Sequence, residues 1–104
     1  MASKSVDTDA FDSEIDTDIP VIVDFWASWC GPCQRIWEDF LKLTESYPNI
    51  LFFKIDISDD ENNEICEKCK VESVPSFLLF KDRTYIERIT GANLNAVSTM
   101  LNKY

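Results

Sequence analysis

The chain has 104 residues, 45% of them hydrophobic and 12% aromatic, enough for one globular domain spanning residues 1–104. Nineteen acids against ten bases give a net charge of −9, and there is no histidine. These counts argue against a basic nucleic-acid surface and remove Cys-His and Ser-His catalysis together with most mixed zinc sites.

In chain order, Met1-Ala2-Ser3-Lys4-Ser5 shows no apolar signal-peptide core, and no apolar run approaches 18 residues. A soluble, cytoplasmic protein without a membrane span is the expectation. Residues 1–19 hold six acids but place Phe11 and Ile15 four apart, so one short helix would lay both on a core. Val6 fits a short edge strand before it. Pro20 to Trp26 is a nearly continuous apolar run, the pattern of a central strand covered on both faces, and Asp24 interrupts it. A lone carboxylate there is costly unless paired or protonated. Either a bend or water exposes Asp24, or it is an acid/base group with a raised pKa.

Trp29-Cys30-Gly31-Pro32-Cys33 follows the strand directly. A C-x-x-C at a strand-to-helix junction is a dithiol redox signal, while the spacing alone equally fits half of a zinc site or two structural thiols. Ile36, Trp37, Phe40, Leu43 and Tyr47 form a helical stripe over 32–47, with Pro32 in its first turn and Pro48 beyond its end. Ile50 to Ile55 reads as a second buried strand, parallel to the first because a helix intervenes. Ser58-Asp59-Asp60-Glu61 fits a capping box for a helix running to about Lys70, with Ile65 and Cys69 on its inner face. Ser76 to Phe80 is a third strand. Tyr85 to Ile89 alternates like an exposed antiparallel edge, ended by Gly91. Asn93 caps a last helix whose stripe is Leu94, Val97, Leu101 and Tyr104. The predicted architecture is α/β: a mixed central sheet flanked by helices on both faces, with its chemistry at the carboxyl ends of the strands.

Val23-Asp24-Phe25-Trp26-Ala27, Trp29-Cys30-Gly31-Pro32-Cys33, Lys54-Ile55-Asp56, Val74-Pro75-Ser76-Phe77 and Gly91-Ala92 stand in this order along the chain. Together they resemble the thioredoxin family, over about Phe11 to Leu101. The resemblance implies a thioredoxin fold and a protein-disulfide reductase. Cys30 would be the nucleophile and Cys33 the resolving thiol, with Asp24 deprotonating Cys33 and Lys54 as the ionic neighbour of Asp24. An ordinary strand-end lysine is the alternative for Lys54, and core packing the alternative for Trp29. Val74-Pro75 would be a cis-proline loop, and Trp29, Gly31, Pro32, Val74, Pro75, Gly91 and Ala92 a docking patch around Cys30. The Gly-Pro dipeptide resembles the reductants of the family. No bound cofactor or metal is implied. NADPH would act indirectly through a thioredoxin reductase, and partners would be disulfide-containing proteins such as peroxiredoxins or ribonucleotide reductase. A cytoplasmic monomer binding neither nucleic acid nor membrane is expected.

The chain departs from the family pattern in places. Glu38 replaces a helix-kinking proline, which predicts a straighter helix, and Arg35 keeps a cation near the dithiol. Asp82-Arg83 replaces a turn glycine, which predicts a longer or rearranged hairpin. The second C-x-x-C, Cys66-Glu67-Lys68-Cys69, would strain its helix if bonded. Its readings are reduced structural thiols, a regulatory pair, or zinc shared with the first pair. Besides a general electron carrier, a dedicated redox partner for one enzyme and a binding module with incidental thiols fit the same fold.

Overall fold

The computed structural model describes residues 4–104. Its elements are β1 (Lys4–Ser5), α1 (Thr8–Glu14), β2 (Val21–Trp26), α2 (Gly31–Arg35), α3 (Trp37–Glu45), β3 (Leu51–Asp56), α4 (Asn63–Lys68), β4 (Ser76–Lys81), β5 (Thr84–Thr90) and α5 (Leu94–Leu101). The five strands lie in the order β1-β3-β2-β4-β5. β1, β3 and β2 run parallel, and β4 and β5 complete the sheet antiparallel. This is the mixed α/β architecture that the apolar pattern predicts.

The period-2 alternation of the strands sorts the core into two layers. Val21, Val23 and Phe25 of β2 join Phe53, Ile55, Leu78 and Phe80 on the face covered by Phe11 of α1, by Ile15 at its end and by Ile65 of α4. Ile22 joins Phe52, Phe77 and Leu79 on the opposite face, beneath Phe40 of α3 and Val97, Met100 and Leu101 of α5. Phe40 stacks with Trp37, Phe52 and Phe77, so truncating it to alanine costs about 3–5 kcal/mol. Asp24 lies one pleat beyond Ile22 and shares its face. It is a carboxyl group in an otherwise apolar layer, opposite Phe77 in β4 and Lys54 in β3.

Four local readings need correction. The stripe over 32–47 is two helices: the backbone turns at Ile36 (φ −93°, ψ −3°) without any proline. The Ile36 amide shares its hydrogen bond between the carbonyls of Pro32 and Gln34, and this local opening of the ladder makes the bend that Glu38 was expected to remove. Asp59, not Ser58, caps the segment before α4, which begins with a 3₁₀ turn over Asp60–Asn62. The Ser58 hydroxyl is drawn instead to the Asp56 carboxylate. The turn is not lengthened, because Asp82 (φ 52°) and Arg83 (φ 65°) both adopt left-handed conformations in a two-residue turn between Lys81 and Thr84, and the irregularity of the hairpin is a register shift between Leu79 and Phe80. In the last helix Met100 takes the inner position, and Tyr104 lies exposed beyond its end.

Candidate active site

The strand β2 delivers the chain to the carboxyl edge of the sheet, and a short loop carries it into α2. Cys30 is the N-cap of α2, with an extended backbone (φ −86°, ψ 104°). The amide of Cys33, free of an intrahelical partner at this end, donates to Cys30 Sγ at 3.1 Å. Pro32 occupies the first turn, where its missing N–H costs nothing. Cys30 and Cys33 are joined as a disulfide with their Cα atoms 5.3 Å apart. Ala27 packs behind the pair, with Trp26, Ile57 and Val74 around it.

In the disulfide Cys30 is 4% and Cys33 6% exposed. The bond ties the two sulfurs together under the same apolar neighbours, so exposure does not distinguish them. What does is position: Cys30 receives a helix-end amide, whereas Cys33 faces inward. Cys33 lines a cavity of about 230 Å³ with Asp24, Trp26, Gln34, Trp37 and Lys54.

Asp24 is 4% exposed, and its Oδ1 has no hydrogen-bond partner. Burial pushes its carboxyl up from the ordinary 3.8 to about 7, and the charge of Lys54 pulls in the opposite direction. The register of the parallel strands sets Lys54 beside Asp24. Its ammonium nonetheless makes no ion pair with that carboxylate. It lies 4.5 Å from the ring centre of Trp37 and 5.4 Å from that of Trp26. The expected ionic contact is thus a longer-range electrostatic influence, because two indole faces compete for the cation. Trp37 is the site residue that sequence reasoning missed. It was read as part of the core stripe, although it stands only four residues past Cys33, at the start of α3 just across the break at Ile36.

The remaining residues fall into place on the outer side. Trp29 is 69% exposed, which sets aside core packing. The Val74-Pro75 peptide is cis, and the Gly91 amide donates to the Pro75 carbonyl at 2.8 Å. Gly91 has φ +100°, a conformation open to glycine, and Ala92 next to it is exposed. The Arg35 guanidinium lies over Gly31, so a Cβ there would crowd it at 3.3 Å.

A family model for thioredoxin matches residues 2–103. The chain belongs to the thioredoxin family. It is 41% identical to thioredoxin-1 of Saccharomyces cerevisiae over 87 residues, covering 84% of this chain and 82% of that one. It resembles a chain from a structural study of thiol resolution in yeast mitochondrial 1-Cys peroxiredoxin via the glutathione and thioredoxin systems. There the TM-score is 0.90 at 31% identity, with 98% and 95% coverage. A chain from a complex of ferredoxin:thioredoxin reductase with thioredoxin f2 superposes with a TM-score of 0.92 at 26% identity, with 98% and 94% coverage. Thiol–disulfide exchange at Cys30–Cys33 is accordingly the chemistry of this thioredoxin-family site.

Cys66 and Cys69 stand apart from it as free thiols, unbonded to each other and half-buried against the α1 side of the core. Burial, and then the nearby Asp56 carboxylate, pushes the Cys66 thiol up. Burial pushes Cys69 up to about 11 against the opposing pull of Arg88.

Proposed function

We propose that the chain is a general protein-disulfide reductase in which Cys30 attacks, Cys33 resolves and Asp24 serves as the proton acceptor for Cys33. In the reduced form the Cys33 amide and the positive end of α2 favour a thiolate at Cys30. That thiolate attacks one sulfur of a partner disulfide, forming a Cys30–partner bond and expelling the partner's other sulfur as thiolate. Asp24 then takes the proton of Cys33. The Cys33 thiolate attacks Cys30 Sγ, closing the Cys30–Cys33 disulfide and releasing the second partner thiolate. The chain loses two electrons and the partner gains two.

The single observation that carries this reading is a buried carboxyl with a free oxygen in the same cavity as Cys33. A carboxyl poised near 7 is half ionised at neutral pH, where a base is most useful. Trp29, Gly31, Pro32, Val74, Pro75, Gly91 and Ala92 supply the docking patch, and the Val74 backbone would pair with an extended partner strand.

A thioredoxin reductase would recharge the dithiol, drawing on NADPH that never binds this chain. The reductase complex among the structural neighbours supports a reductase partner, and the peroxiredoxin study supports peroxiredoxins as substrates. Ribonucleotide reductase is a further candidate of the same class. A reducing compartment such as the cytoplasm suits the two free thiols, and a monomer leaves the patch open. The test is insulin-disulfide reduction coupled to NADPH oxidation through a thioredoxin reductase. Turnover lost in Cys30→Ser supports the mechanism, and turnover that survives it overturns the mechanism.

A further inference from the structure

We propose that Trp37 is a positioning residue that, together with Trp26, holds the Lys54 ammonium over indole faces and thereby keeps it from closing an ion pair with Asp24. This inference rests on Asp24 acting as the base for Cys33. Four observations place it. Lys54 and Asp24 are direct partners across the β2–β3 pairing, on the sheet face covered by α3. The Lys54 Nζ lies 4.5 Å from the Trp37 ring centre and 5.4 Å from that of Trp26, so it sits between two aromatic faces. The Oδ1 of Asp24 has no hydrogen-bond partner although a cation lines the same cavity. Trp37, Lys54, Asp24 and Cys33 all line that cavity.

The physical consequence concerns how strong a base Asp24 is. An ammonium in direct contact would stabilise the carboxylate and make it a weaker acceptor for the thiol proton. An ammonium held back on the ring quadrupoles neutralises the cavity while leaving the carboxylate unsatisfied. The bend at Ile36 is part of the device, because it begins α3 at Trp37, next to the cavity. The groups that face Asp24 are few. Lys54 comes from β3 and Cys33 from α2, Gln34 and Trp37 are uncharged, and Phe77 from β4 is apolar.

The test is the titration midpoint of Asp24 in the reduced chain, read by carboxyl-carbon NMR, with the rate of mixed-disulfide resolution measured across pH. Trp37→Leu frees the ammonium, so the midpoint should fall by about one pH unit. The rise of the resolving rate should move to lower pH with it, and its plateau above neutrality should drop severalfold. Trp37→Phe keeps an aromatic face and should lie between the two. Lys54→Met should move the midpoint the opposite way, upward. In the Lys54→Met background Trp37→Leu should then cause no further fall. A fall that persists in that background would mean Trp37 only keeps water out, and would overturn the proposal. An unchanged midpoint in Trp37→Leu alone would overturn it too. Should Asp24→Asn leave the resolving rate unaltered across pH, the base assignment itself fails, whereas a slowed Asp24→Asn with an unmoved Trp37→Leu sinks only the positioning role.

Discussion

The guanidinium of Arg88, on β5, donates to the carbonyl of Cys69 at 2.7 Å and to that of Lys70 at 3.1 Å. These oxygens end α4, where Lys70 takes a left-handed conformation (φ 55°) and the amides of Lys70 and Val71 reach back to Glu67 and Cys66. This is a Schellman closure built without glycine, and the cation satisfies carbonyls the helix leaves open. The same guanidinium bonds Tyr85 Oη and lies 5.1 Å from its ring centre. Arg88→Leu should lower stability by about 1–3 kcal/mol in urea unfolding, because charged hydrogen bonds are lost. Amide exchange at Lys70 and Val71 should quicken selectively.

Asp24 should make the fold pH-sensitive. The folded chain keeps the Asp24 proton up to about 7, whereas the unfolded chain releases it near 3.8. Between those values the folded state binds the extra proton, so stability falls as pH rises through the window and levels off above it. At about 1.4 kcal/mol for each pH unit, the full effect is on the order of 4 kcal/mol. Asp24→Asn should remove this slope. Denaturant midpoints at pH 4 and pH 8 check it, with the variant gaining on the parent at the higher pH.

The arrangement of layers was readable from alternation and from Phe11, Ile15 and Phe40, because burial of that kind has a fixed period. Asp24 stood out for a related reason, being a polar group where the pattern demanded an apolar one, and the dithiol stood out by its C-x-x-C spacing at a strand-to-helix junction. What stayed hidden depended on contacts between distant segments. The aromatic cradle of Lys54 joins β3 to α3, and Trp37 looks identical to a core residue in a helical stripe. The break at Ile36 was obscured because its bend has no proline to mark it. The Asp82-Arg83 turn was misjudged because strand pairing overrode the conformational preference of both residues.

That turn offers a stability test. Two non-glycine residues with positive φ each carry a steric cost of roughly 1 kcal/mol. Arg83→Gly should stabilise the chain by about 0.5–1 kcal/mol, since the ion pair of Arg83 with Asp16 at 3.9 Å is solvent-exposed and worth little. A lowered melting temperature would contradict the account.

Trp29 buries little of itself in the fold, so Trp29→Ala should change stability by no more than about 0.5 kcal/mol. Its loss should instead appear in kcat/KM for insulin, by about tenfold, as an exposed aromatic anchor would require. Equal losses in stability and turnover would return Trp29 to a structural role.

Alkylation of the reduced chain, followed by mass spectrometry across pH, should order the four thiols. Cys30 should react first and at the lowest pH, and Cys69, pushed up to about 11, should react last. Cys30 labelling no faster than Cys66 would remove the basis for assigning it the attack.

Because Cys30 Sγ is itself the acceptor for the Cys33 amide in the first turn of α2, the reacting atom and the helix cap are the same atom. An electron-rich sulfur caps better than one tied into a disulfide. The electrons the chain carries therefore also tighten the start of its helix. By a closed thermodynamic cycle, the gap in unfolding free energy between the two redox forms, referred to the unfolded dithiol, equals the offset in the chain's electron affinity. A denaturation curve run with and without reductant thus becomes a voltmeter for the site.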